Sequence, residues 1–194
     1  PRPVNVMDVA DIPLLGEHNV DNVMAATLIA LAADIPVKDI GAAVHSFKAL
    51  PHRLTTVAEI DGVRYVDDSK ATNPGSVIAA LRTFEEGRIV LIAGGKGKGT
   101  DFTELGKAAS SRTRAVVLIG TAAEEMAGVI KRAKVTRADS MEAAVDAASG
   151  IAKAGDIVLL SPGCASFDMF ASAEARGDAF VKAVQRLKGR EAVG

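Results

Sequence analysis

The sequence predicts an α/β fold: a doubly wound, mostly parallel sheet with a leading β-hairpin, preceded by a pair of helices. Three observations carry this expectation. Apolar runs and helical patterns alternate from about residue 55 to the end, which is the signature of strands joined through crossover helices. The runs Ile89–Ile92, Val116–Ile119 and Ile157–Leu160 are apolar at every position, as parallel strands covered on both faces are. Ahead of them, Thr55–Ile60 and Val63–Asp67 flank Asp61-Gly62, a pair suited to a tight hairpin turn.

In chain order, residues 1 to about 18 are short apolar pieces broken by Pro3, Pro13 and Gly16. A helix then runs to about Ala33, with Asn19 or Asp21 as its cap and Val20, Val23, Met24, Thr27, Leu28 and Leu31 at helical spacing. Pro36 ends it and opens a second helix, Val37 to about Lys48. Leu50-Pro51-His52-Arg53 reads as a linker. After the hairpin come strands at Arg88–Ala93, Arg114–Gly120, Lys134–Ala138 and Asp156–Ser161. Helices are expected at Gly75–Phe84, Asp101–Ser111, Ala122–Arg132, Met141–Lys153 and Phe167–Leu187. Asn73 before Pro74 is a strong helix start, a capping side chain followed by a proline at the first helical position.

Composition narrows the function classes. The 194 residues carry a net charge of −1, so nothing electrostatic points to nucleic acid or an anionic membrane. One cysteine, Cys164, excludes an intrachain disulfide and a cysteine-based zinc site. The three histidines are scattered. No apolar stretch is long enough for a bilayer, so a cytoplasmic protein is expected. The chain starts at Pro1 rather than Met, which suggests a fragment or processed chain.

Three polar loops follow strand ends. Asp67-Asp68-Ser69-Lys70-Ala71-Thr72-Asn73 puts carboxylates, hydroxyls, an ammonium and an amide on one strand-to-helix turn. Such polar residues also favour turns for local reasons, but the lysine is harder to explain that way. Gly94-Gly95-Lys96-Gly97-Lys98-Gly99-Thr100-Asp101 satisfies neither the P-loop pattern, since Gly99 follows Lys98, nor the dinucleotide fingerprint. It reads as a glycine loop with two lysines before a helix capped by Asp101 and Glu104. In Ser161-Pro162-Gly163-Cys164-Ala165-Ser166-Phe167-Asp168, Ser166 is expected to cap the last helix, and Cys164 to be a buried structural thiol. Ligands of doubly wound sheets bind beyond the carboxyl ends of the strands. Together the loops would gather cations and helix N-termini there, suiting a small di-anion such as an amino diacid.

These residues closely resemble the Mur ligases. The resemblance rests on Asp68-Ser69-Lys70-Ala71-Thr72-Asn73, on Gly94-Gly95 with Lys98-Gly99 and Asp101-Phe102, and on Ser161-Pro162 with Cys164–Asp168, Phe170 and Arg176-Gly177. Gly16 with His18-Asn19, Asn22 and Ala25-Ala26, and Leu50-Pro51-His52-Arg53, match in the same order, so it spans nearly the whole chain. It implies a Rossmann-like C-terminal domain at 50–194, preceded at 1–49 by the end of a central ATP-binding domain. The implied activity is ATP-dependent amide formation in peptidoglycan synthesis. The loop containing Lys70 points to the branch that joins D-glutamate to UDP-N-acetylmuramoyl-L-alanine through an acyl phosphate. ATP and Mg2+ would serve the full-length enzyme, with no metal ligands in this chain. The fragment alone would be inactive without the N-terminal and central domains and their P-loop.

By the same resemblance, Asn19 and Asn22 would read adenine, Asp68 the ribose, and Arg53 ribose or phosphate. Lys70 would stabilise the acyl phosphate and its tetrahedral successor. Thr72, Lys98, Ser166 and the backbone amides near Phe167 would hold the carboxylates of D-glutamate. Ala173 stands where the family often has an aromatic residue. The alternatives are a non-catalytic α/β module binding a nucleotide or an acidic amino acid, the corresponding part of another Mur ligase, and a structural fragment.

Overall fold

The tightest turn of the sheet is dictated by two residues. Asp61 and Gly62 both have positive φ, 49° and 72°, the backbone twist that joins antiparallel strands directly. They connect β1 (Thr55–Ile60) to β2 (Val63–Asp67). In the computed structural model, which describes residues 4–97 and 99–191, β2 then pairs in parallel with β6 (Ile157–Leu160), and β6 with β3 (Ile89–Gly94). β4 (Thr113–Ile119) and β5 (Lys134–Arg137) complete a six-stranded sheet of order β1-β2-β6-β3-β4-β5.

The chain divides into two compact units, Pro1–Leu50 and Pro51–Gly194. The first holds a short 3-10 turn at Val9–Asp11, α1 (Glu17–Ala32) and α2 (Val37–Ser46). α1 starts two residues before the earliest expected cap. Gly16 precedes it, and Asn19 instead lies in the first turn, its amide donating to the Leu15 carbonyl at 2.7 Å. Met24, Leu28 and Ile29 on α1 are exposed.

In the second unit, α3 (Pro74–Arg82), α4 (Thr103–Arg112) and α5 (Ala123–Val129) cover one sheet face, where Val77, Leu81, Leu105 and Met126 meet Ile89 and Leu91. α6 (Met141–Ile151) and α7 (Ala173–Glu191) cover the other, where Met141, Val145 and Phe180 meet Val90 and Ile92. Alternate residues of β3 therefore feed two separate cores, which is why its sequence is apolar throughout. Asn73 caps α3 through the Ser76 N–H at 3.0 Å, and the unpredicted Ser140 caps α6. At the amino edge, buried Asp156 accepts two bonds from Arg114 (2.6 and 3.0 Å) and one from the Lys153 N–H. No helix among the described residues is long and apolar enough to cross a membrane.

α7 corrects the expected start at Phe167. Residues 166–170 form a turn closed by the Ser166 carbonyl, which accepts from the Met169 and Phe170 N–H groups. The helix begins at Ala173, and the capping hydroxyl is Ser172, which accepts from Ala175 N–H at 3.1 Å. Ser166 caps nothing.

Limited proteolysis should cut first near residues 47–51, at the border between the units, and leave a resistant piece beginning close to Pro51. Mass spectrometry of the digest reads the border directly. Equally fast digestion across residues 55–190 would contradict it.

Candidate functional site

The strand order explains where the polar loops meet. β2 leads to α3 on one face, β6 to α7 on the other, and β3 back to α4 on the first. The loop after β6 thus leaves for the face opposite to the one taken by the loops after its two neighbours, β2 and β3, the arrangement at which open α/β sheets bind ligands beyond the carboxyl ends of their strands. All three polar loops emerge there, although β2 and β6 lie some ninety residues apart in sequence.

The loop after β2 is held from below by residues 52–54. The His52 ring and Asp67 carboxylate are bonded at 2.7 Å, and the Lys70 N–H donates to the His52 carbonyl at 3.0 Å. Asp67 also accepts from the Ser69 N–H, and Asp68 from the Leu54 N–H. His52 and Leu54 sit at φ 61° and 47°, a costly region for such residues that persists only where contacts enforce it. The expected linker is therefore partly a brace. Gly177 lies against it, since a Cβ there would collide with the His52 ring.

Arg176 ties the loops together from behind. It is fully buried and donates to the Ser69 hydroxyl (3.0 Å), the Ser69 carbonyl (2.8 Å) and the Cys164 carbonyl (3.0 Å). The Ser69 hydroxyl donates in turn to the Ala173 carbonyl at 2.7 Å. Burial lowers the guanidinium to about 10. The glycine loop joins the same knot. The Lys96 N–H donates to the Ala165 carbonyl at 2.8 Å, and Gly95, at φ 133°, has no room for a Cβ beside that carbonyl. Cys164 is buried, and desolvation pushes its thiol up to about 11, which suits the expected structural thiol and not a nucleophile.

On this frame stand the expected site residues. Lys70 points its ammonium to the Glu174 carboxylate in the first turn of α7. Thr72 and Arg53 are exposed, and Phe167 is 65% exposed. Ser166 is 1% exposed, and its hydroxyl has no hydrogen-bond partner. An unsatisfied buried hydroxyl costs free energy and asks for a reason. Asp168 beside it accepts from the Thr121 N–H at 2.8 Å, fixing the turn to the end of β4. Asn19 and Asn22 lie one turn apart in α1, in the other unit, with Asn22 donating to Asn19 at 3.3 Å. Lys98 lies outside the described residues. A cleft of about 360 Å3 at the ends of β4 and β5 is lined by Thr121, Asp168 and Met169 and by none of the expected site residues. Among the described residues no three His, Cys, Asp or Glu side chains gather to hold a metal.

Asp68 is the group with the most altered acidity. Burial pushes its carboxyl from 3.8 up to about 7, with neighbouring Asp67 adding to the rise and the Ser161 hydroxyl (2.8 Å), the Leu54 N–H and Arg53 opposing it. The folded chain thus holds a proton that the unfolded chain releases near 3.8. Stability from this group is complete at about pH 4 and falls as pH rises to about 7, by on the order of a few kcal/mol. Asp68→Asn keeps an acceptor for Leu54 and removes the buried charge. Its melting temperature should exceed that of the parent chain at pH 8 and match it at pH 4. The same pH dependence in both proteins would contradict this.

Sequence reading missed His52 as a brace, Glu174, and the burial of Arg176. The local signals were the Arg176-Gly177 pair and the Leu50-Pro51-His52-Arg53 stretch.

Residues 52–164 match the family model described as "Mur ligase, glutamate ligase domain". The UDP-N-acetylmuramoylalanine–D-glutamate ligase of Syntrophotalea carbinolica is 48% identical over 183 residues, covering 94% of this chain and 40% of the relative. The enzyme of that name from Saccharophagus degradans is 48% identical over 186 residues, with 94% and 41% covered. The chain thus spans about two fifths of the length of these curated relatives. Among solved structures, the MurF ligase of Thermotoga maritima in complex with ADP aligns with a TM-score of 0.65 at 20% identity, over 88% of this chain and 39% of that one, a likeness of fold. With its glutamate ligase domain matched from the His52 brace to the Cys164 loop, this chain belongs to the Mur ligase family.

Proposed function

We propose that the chain is the C-terminal part of an ATP-dependent ligase that joins D-glutamate to UDP-N-acetylmuramoyl-L-alanine. In this reading residues 1–49 close a central ATP-binding domain and 50–194 form the domain that receives D-glutamate. The observation that carries it is the convergence of the three loops at the carboxyl ends of β2, β6 and β3, where the buried Ser166 hydroxyl has no partner. The names of the curated relatives, aligned across 94% of the chain, supply the substrate.

The reaction needs an activated carboxylate and a positioned amine. ATP supplies the phosphoryl group that converts the carboxylate to an acyl phosphate, leaving ADP, and the neutral amine of D-glutamate attacks the acyl carbon, expelling inorganic phosphate and losing a proton. Asn19 and Asn22 offer amides that donate and accept at once to an adenine edge. Asp68, with Arg53 nearby, would accept from a ribose, though both its oxygens already accept bonds from the protein. Lys70 neutralises charge that grows on the phosphoryl group and the tetrahedral carbon. Thr72, Lys98, the Ser166 hydroxyl and the amides near Phe167 take the two carboxylates of D-glutamate. Magnesium would be held by other parts of the full-length enzyme together with the phosphates of ATP.

The chain alone, given ATP, magnesium, D-glutamate and UDP-N-acetylmuramoyl-L-alanine, should form no amide. It lacks a P-loop sequence, and losing phosphoryl positioning removes most of the stabilisation of the transition state. A full-length ligase carrying this chain should form the amide and release ADP. Comparable turnover by the chain alone, or none by the full-length protein, would overturn the assignment.

A further inference from the structure

The site described so far leaves one charge of the substrate without a partner. D-glutamate brings two carboxylates and an ammonium group, and the residues assigned to it are cations, hydroxyls and N–H donors. An ammonium needs an acceptor, and the loops at the carboxyl edge of the sheet carry several carboxylates. Asp67 is taken by His52 and the Ser69 N–H, and Asp68 by Leu54 and Ser161. Asp101 accepts from the Thr103 N–H at the start of α4, Asp168 holds Thr121 with one oxygen and keeps the other, unpartnered, buried inside its turn, and Asp178 faces the far side of the His52 ring. Glu174 differs. It is half exposed, and its charged partner is Lys70, itself 36% exposed.

Geometry makes the same choice. An attacking amine must come within about 3–3.5 Å of the acyl carbon. Lys70 serves the phosphoryl group on that same carbon, so the amine and the Lys70 ammonium must lie close together. Two neighbouring cations need an anion between them, and the carboxylate already against Lys70 is Glu174. The position is rigid. Residue 173 is tied to the loop after β2 through its carbonyl and Ser69, and Arg176 locks the same turn.

Resting on the ligase reading above, we infer that Glu174 binds the ammonium group of the amino-acid substrate and holds it beside Lys70. It is a recognition residue, setting preference for a substrate that carries an amine. The Lys70 ammonium, with the N–H of Glu174 and the Ser172 hydroxyl, keeps the carboxyl down at about 2, so it stays ionised and anchors the ammonium form on binding; at this half-exposed position the ammonium releases its proton to water before the neutral amine attacks.

The test compares two ligands in a full-length ligase carrying this chain. D-glutamate has the amine; glutarate has the same two carboxylates without it and serves as a competitive inhibitor. Glu174→Gln should raise the KM for D-glutamate roughly tenfold, the loss of one exposed charge-assisted bond. The inhibition constant of glutarate should stay within about twofold, because glutarate never used that bond. Glu174→Asp, which keeps the charge, should lose less than Glu174→Gln. An unchanged KM would overturn the assignment, and so would equal weakening of both ligands, the mark of a merely structural role. Absence of turnover with D-glutamate in the unmodified ligase would overturn the ligase reading and this assignment with it.

Discussion

Arg176→Ala should be the most damaging single change to the fold, lowering the melting temperature of this chain by roughly 10 °C, from a loss of about 3–5 kcal/mol. The side chain is fully buried and serves three acceptors on two loops, the Ser69 hydroxyl, the Ser69 carbonyl and the Cys164 carbonyl. Its removal leaves those groups unpaired away from water and opens a cavity between the loops after β2 and β6. Arg176→Lys should not rescue it. One ammonium cannot span three acceptors that a planar guanidinium reaches at once. A thermal scan decides the point, and a shift under about 3 °C for the alanine variant would show that the loops hold without the clamp.

Lys70→Ala should have the largest effect on catalysis, lowering kcat of a full-length ligase by about a hundred- to a thousandfold while moving the KM for D-glutamate less than about threefold. The ammonium is partly exposed and is balanced by Glu174. Its proposed partner charge grows only during phosphoryl transfer and amine attack, so the loss falls on the transition state. The backbone of residue 70 is anchored separately through His52, and an alanine there leaves the loop in place. A raised KM with normal kcat would make Lys70 a binding group instead.

Much of the fold was legible because local physics repeats at tertiary level. Asp61-Gly62 announced the hairpin, Asn73-Pro74 announced α3, and the fully apolar runs announced strands buried on both faces. The insertion of β6 between β2 and β3 was not legible, because periodicity within a strand says nothing about its neighbours. The misplaced start of α7 has a specific cause. Ser166 and Ser172 are equally good capping residues, and the choice between them is made by the closed turn at 166–170. The polar loops were recognisable one by one. Their supports were not, since a fully buried arginine and a histidine bonded to an aspartate fifteen residues away run against the usual exposure of charged side chains.

The central claim is that the loops at the carboxyl ends of β2, β6 and β3 receive D-glutamate. Its most direct test is saturation kinetics of a full-length ligase with Lys98→Ala, measured separately for D-glutamate and ATP. The proposed carboxylate contact predicts a KM for D-glutamate raised roughly ten- to a hundredfold, the loss of one charge-assisted bond, with the KM for ATP within about twofold of the parent. Unchanged saturation by D-glutamate, or an equal rise for both substrates, would contradict it.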